Sequence, residues 1–321
     1  MKIVTIFFFT GFLLSPGIDN LLTPSSEITG ISNPAIESAR LMTDEPFSED
    51  YEVWVNGIKT FVYVARVQDP PWEKEKTKLD FGGNYSFTSF DISGPVEIKI
   101  HSLNKLLNNT IFRPDNAKVK HLVRRDNDIT FTIDKPVKLS IEPDGKNGPL
   151  LIFANPVNEY IPDKSDKNLI YFGPGIHKPD SVLIRVRDNQ TLYLAEGAIV
   201  KAGVIVSGNN ATICGRGILC GNEFVWGKGA RNMVLIRGNN VVVKDIIIRG
   251  GATWTMPIRD CHDIVIDNVK ILGGRAQLIG ADEKHIVSGV TMSGISISGI
   301  KIKTGSKNLQ IDNYVYKFNI K

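Results

Sequence analysis

Three aspartates, Asp260, Asp263 and Asp267, fall within one eight-residue span. Carboxyl groups brought close in this way can divide the work of a hydrolysis, one donating a proton to a departing group and the other activating water. Asp263 and Asp267 are therefore the candidate catalytic residues. Aspartates also close turns, because a short carboxylate accepts hydrogen bonds from nearby backbone amides. On that reading, which the local pattern favours, Asp260 and Asp263 cap a corner and Asp267 faces solvent. A second acidic pair, Asp282 and Glu283, adjoins Lys284 and reads as a solvated loop.

Candidate binding residues lie around the same region. Trp226 sits in the Gly-flanked stretch Phe224-Val-Trp-Gly-Lys-Gly229, a loop of the sort that walls a groove. A sugar ring stacks its C–H face on such an aromatic, although packing the loop down is the favoured reading of Trp226. Trp254 follows Gly250-Gly251 and is expected at a corner, sealing the interior. Arg249, Arg259 and Arg275 come from consecutive segments. If they share a face they form a cationic strip able to grip carboxylates in bidentate fashion, and otherwise they are ordinary surface charge. Cys214, Cys220 and Cys261 make no Cys-x-x-Cys, and His177, His262 and His285 have no ligand spacing. Neither a metal site nor a cofactor is expected.

The elements that position these residues are strands. From Tyr51 to Tyr63 apolar and polar residues alternate around Asn56-Gly57, a strong hairpin signal. Similar strands recur at 85–90, 96–100, 129–133 and 137–141, as in an antiparallel sandwich. After Leu169 the pattern changes to short apolar strands every ~20–30 residues, each behind a polar corner such as Asn209-Asn210 or Asn239-Asn240. Repeated strand pairs joined by polar corners describe the rungs of a parallel β-helix. The predicted architecture is all-β, an N-terminal antiparallel β-sandwich followed by a shortened right-handed parallel β-helix. Its expected divisions are a signal peptide at 1–20, a polar tether at 21–50, the sandwich at 51–145, a linker at 146–168 and the β-helix at 169–321.

The 321 residues are 42% hydrophobic and 22% charged, which excludes global disorder. A net charge of +4 is too small and dispersed for a nucleic-acid partner. No apolar run reaches the ~18 residues of a membrane span. Met1-Lys2, an apolar stretch to Leu14 and Ser15-Pro16-Gly17 have the layout of a secretory signal, so a secreted or periplasmic protein is expected.

A series of segments then resembles a known family. These are Tyr171-Phe-Gly-Pro-Gly-Ile-His177, Gln190 to Val200, Gly215-Arg-Gly-Ile-Leu219, Ile246 to Trp254 and Asn268-Val-Lys-Ile-Leu272. In order and spacing they are similar to the polygalacturonase-like glycoside hydrolases of the pectin-lyase superfamily. The stretch 80–143 resembles the β-sandwich that precedes the β-helix in bacterial members and in dextranases. The resemblance implies a secreted hydrolase of pectin-like polysaccharide acting with inversion, and a polysaccharide partner that is acidic if the arginines converge. It also implies an Asn-x-Asp-Gly rung and an Asp-Asp rung shortly after the position of Arg275. Here Gly273-Gly-Arg275 runs straight into Ala276-Gln-Leu-Ile279, no Asp-Asp exists, and Asp-Gly occurs only at Asp144-Gly145. The catalytic segment is expected to be missing, which leaves a non-catalytic carbohydrate-binding or scaffold protein as the alternative. A calcium-dependent pectate lyase is a weaker alternative, because clustered carboxylates for the metal are absent.

Overall fold

The computed structural model describes residues 31–32, 45–66, 84–145, 147–224, 228–273, 276–297, 300–307 and 309–321. The expected signal peptide and most of the tether lie outside these residues, as do Trp226 and Arg275. Every regular element among the described residues is a strand.

Two sheets form the sandwich. The outer one runs Ile58–Thr60, Tyr51–Val55, Val96–Ser102, Asp128–Ile133, Lys120–Arg125, antiparallel throughout. Asn56 and Gly57 turn its first hairpin with φ of 47° and 79°. These are left-handed values that suit the twist of a two-residue hairpin. Alternation decides its inner face: Val53, Val55, Ile98, Ile100, Ile129 and Phe131 are buried against Leu139, Ile141, Leu150 and Ile152 of the second sheet.

That second, inner sheet departs from the sequence reading in two respects. Leu150–Pro156, expected within a linker, is a fully paired strand, antiparallel to Val137–Glu142 and parallel to Asn84–Ile92. Its apolar run Leu150-Leu-Ile-Phe-Ala154 is buried on both faces, so it shows no alternation to betray it. The sandwich therefore continues to Pro156 and is not purely antiparallel.

The solenoid has three parallel sheets. The first stacks Leu169–Phe172, Thr191–Leu194, Thr212–Gly215, Val241–Lys244, His262–Asp267 and Val287–Ser293. The second stacks Gly175–His177, Ala198–Val200, Ile218–Cys220, Ile247–Arg249, Lys270–Leu272 and Ser296–Ile297. The third stacks Leu183–Val186, Gly203–Val206, Val234–Ile236, Met256–Arg259, Ala276–Ile279 and Leu309–Ile311. Inward columns such as Val186, Val206, Ile236, Ile258 and Leu278 are wholly buried. No single rung could exclude water from such residues, so each rung depends on its neighbours. Leu278 continues the column without a break across the point where the catalytic segment was expected.

Polar corners hold the rungs in register. Asn189, Asn210, Asn240 and Asp263 follow the third sheet in each turn, all left-handed with φ between 53° and 59°. Asn240 Nδ2 donates to Asn210 Oδ1 at 2.8 Å, and Asn210 Nδ2 to Asn189 Oδ1 at 3.1 Å. A parallel ladder runs beside it, where Asp188, Asn209 and Asn239 accept from the backbone N–H of Asn209, Asn239 and His262.

The inner sandwich sheet packs on the second solenoid sheet. Tyr63, Phe87, Leu151 and Phe153 meet Ile199, Ile218, Ile247 and Leu272 in one buried cluster. Both faces of the second solenoid sheet are thereby covered, whereas the third sheet keeps an outward face.

Candidate active face

The conspicuous unused chemistry is on the outer face of the third sheet. Strand alternation turns Arg185, Ile205, Leu235, Pro257, Gln277 and Gln310 outward in one row across the rungs. A second outward row begins one residue after the inward column, with Arg187, Ser207, Arg237 and Arg259. Arg185, Arg187 and Arg237 are exposed and Arg259 is half-buried. Arg237 and Arg259 stand on adjacent rungs, about 4.8 Å apart along the solenoid. No carboxylate pairs with any of these four arginines among the described residues.

Two buried polar atoms of this sheet also have no partner among the described residues: Arg259 Nε and Gln277 Oε1. Gln277 is 6% exposed. A buried donor and acceptor left unmade cost free energy. The six strands LIRV, GVIV, VLI, MPIR, AQLI and LQI contain no Asp or Glu. The face can therefore hold an anion or a hydroxyl-rich chain, and its strands supply neither an acid nor a base.

The sequence candidates distribute unevenly over this geometry. Arg259 lies on the face. Trp254 is half-exposed just ahead of Met256–Arg259 and takes no part in the core cluster, so it does not seal the interior. The adjoining Thr255 is the residue buried there, its hydroxyl donating to Gly273 O at 3.1 Å.

Arg249 does not belong to a cationic strip. It is on the second sheet, 1% exposed, paired with Glu45 and donating to Val64 O at 2.8 Å. The sandwich covers this sheet, which sequence spacing could not show. Arg237 and Arg187 were passed over; their signal was one arginine following each inward apolar strand, Leu-Ile-Arg-Val-Arg187 and Val-Leu-Ile-Arg237.

Asp263 and Asp267 occupy opposite ends of His262–Asp267 on the first sheet. Four residues of strand put their α-carbons about 13 Å apart, further than an inverting pair uses. Asp263 takes the left-handed corner and bonds His262 Nδ1 at 2.8 Å, while Asp267 accepts from Ser293 Oγ at 2.5 Å. Asp260 is also left-handed, with φ 52°. Asp282 binds the amides of Lys284 and His285 and the His285 ring, bonds that lower its pKa.

The three cysteines are free and buried, and burial lifts Cys214 to about 11 and Cys261 to about 12. Cys214 and Cys261 are therefore poor nucleophiles. No group of three or more metal-ligating side chains occurs among the described residues.

A different carboxyl is perturbed, at the seam between sandwich and solenoid. Burial, reinforced by the neighbouring Asp91 charge and opposed by Arg216, pushes Glu196 up to about 8. Asp91 itself is locked: Arg216 Nε lies 2.9 Å from its Oδ1, and the Asn158 amide donates to its Oδ2 at 2.9 Å. Glu196 and Asp91 thus belong to the packing of the seam rather than to an open site.

No family model matches this chain, and no curated protein matches it. Among solved structures, Dex49A from Penicillium minioluteum superposes with a TM-score of 0.50 at 16% identity, over 86% of this chain and 75% of its own. A provisionally assigned glycosyl hydrolase from Parabacteroides merdae gives a TM-score of 0.34 at 15% identity, over 47% of this chain and 77% of its own. The chain shares the fold of Dex49A.

Proposed function

We propose that this protein is a secreted polysaccharide-binding protein on a glycoside-hydrolase-like scaffold, holding an acidic, pectin-like chain along the outer face of the third solenoid sheet without cleaving it. One observation carries the reading: Arg187, Arg237 and Arg259 are aligned along a face whose six strands hold no carboxylate. Guanidinium groups on adjacent rungs repel one another until an anion lies between them, and their planar forks suit carboxylates. Ile205 and Leu235, both partly exposed, provide apolar surface beside them. The family-like order of motifs supports polysaccharide as the ligand class, and the shared fold is the one those motifs implied. Trp254 is a further side chain proposed to reach this chain, and Trp226 and Arg275, which lie outside the described residues, are sequence candidates for the same role.

Affinity electrophoresis in polygalacturonate, run beside a reducing-end assay, tests the reading. The expected result is retardation with no new reducing ends, and loss of at least tenfold in affinity for Arg237→Gln combined with Arg259→Gln. Turnover of any acidic or neutral glycan, abolished by Asp263→Asn or Asp267→Asn, would overturn the non-catalytic assignment and restore the hydrolase.

A further inference from the structure

We propose that the outer face of the five-stranded sandwich sheet is a second carbohydrate-binding surface, centred on Trp54 and selective for neutral glycan. The assignment is independent of the arginine face. Strand register places Lys59, Trp54, Lys99 and Thr130 in one row across neighbouring strands, with Trp54 at its centre. The row points away from the sandwich core and its side chains are partly or largely exposed. Trp54 is partly buried, and the ammonium groups of Lys59 at 5.6 Å and Lys99 at 5.4 Å lie over its ring.

Charge complementarity selects the ligand. Lys59 is paired with Glu52 at 2.5 Å, Lys99 with Asp128 at 3.6 Å, and Lys120 with Asp134. Because each of these ammonium groups already has a carboxylate beside it, a polyanion would meet as much repulsion as attraction. A neutral sugar meets neither. Its C–H face stacks on an indole, and its neighbouring hydroxyls find donors and acceptors side by side in the Lys–carboxylate pairs and at the Thr130 hydroxyl. The two lysines are about half exposed and long, so either can swing off the indole to admit a ring.

The full chain is run through gels containing dextran, galactomannan, xyloglucan or polygalacturonate. At least one neutral polymer is expected to retard it. Trp54→Ala is expected to weaken that retardation at least tenfold, Trp54→Phe to keep part of it, and Lys99→Ala to keep or strengthen it by uncovering the ring. Arg237→Gln with Arg259→Gln is expected to leave neutral binding unchanged. Three outcomes overturn the proposal: no neutral polymer retards the protein, Trp54→Ala binds like the parent, or Trp54→Ala loses only polygalacturonate. Failure of the arginine variant to affect polygalacturonate binding would count against the third-sheet face alone.

Discussion

Arg237 and Arg259 illustrate how one residue type divides by environment. Among the described residues neither forms an ion pair with a carboxylate, whereas Arg249, with Glu45 and Val64 around it, is a structural cross-link. Binding of a polyanion through Arg237 and Arg259 should be salt-sensitive, since salt screens the attraction between guanidinium groups and carboxylates. Raising sodium chloride from 50 to 500 mM should therefore weaken polygalacturonate binding steeply in the parent and only slightly in the double glutamine variant, read by gel retardation. Glu196 makes a separate prediction. Its folded pKa, about 8, lies above the ordinary glutamate value of 4.5, so the folded state holds the proton more tightly than the unfolded chain. The stability it contributes is fully present below the unfolded value and is lost as pH rises through the folded one. The decline is at most about 1.4 kcal/mol per pH unit across that window. Urea midpoints between pH 5 and 9 should fall with rising pH in the parent, and Glu196→Gln should flatten that fall and be the more stable protein at pH 8.5.

The repeating element is the rung corner, and its asparagines are structural. Asn210 combines a left-handed backbone with two side-chain bonds to the corners above and below. Alanine there loses both bonds and strains the backbone, an expected cost of about 2–3 kcal/mol. Asn210→Gly should cost less, because glycine accepts the positive φ and forfeits only the bonds. Equilibrium urea unfolding of the two variants separates the contributions. Gly238 is a tighter constraint: a Cβ there would fall 1.7 Å from Gly208 O. Gly238→Ala should therefore displace neighbouring rungs and destabilise more than either Asn210 variant. The legibility of such corners was high, since their Asn and Asp stand between short apolar runs. Leu150–Pro156 was illegible for the opposite reason, being buried on both faces and so lacking a period.

Across the whole molecule, the sandwich and the solenoid are joined by charged groups as well as by apolar packing. Arg216 reaches Asp91 of the sandwich and, with Nη1 2.6 Å from Oδ1, Asp245 of the solenoid; it also donates to Pro156 O at 2.5 Å. Burial tends to raise the Asp245 pKa, but bonds from Asn268 and the Arg216 charge hold it below the usual range. Lys270 is wholly buried, donates to Asn155 Oδ1 at 2.6 Å, and burial drives its pKa well down. Removing Arg216 would leave Asp91 a buried, unpaired charge. Arg216→Ala should cost about 3–5 kcal/mol and split a shared thermal transition into two, which differential scanning calorimetry would register. A single transition at an unchanged temperature would show that apolar packing alone joins the two parts.

The sequence by itself determined the strands, the Asn-Gly hairpin, the change from alternating strands to stacked rungs, and the turn role of Asp260 and Asp263. These follow from local rules: a pleat with period two, corners needing left-handed residues, and apolar runs too short to be buried alone. It also showed that no Asp-Asp pair occurs and that Asp-Gly stands only at Asp144-Gly145, because that is a matter of residue order. Only the tertiary structure decided which arginines are free. Arg249 and Arg259 read alike in sequence, each closing a short apolar strand, yet the sandwich packs on the second solenoid sheet and not on the third. Burial and pairing across the seam join residues more than a hundred positions apart, and no local pattern encodes which face another part of the chain will cover.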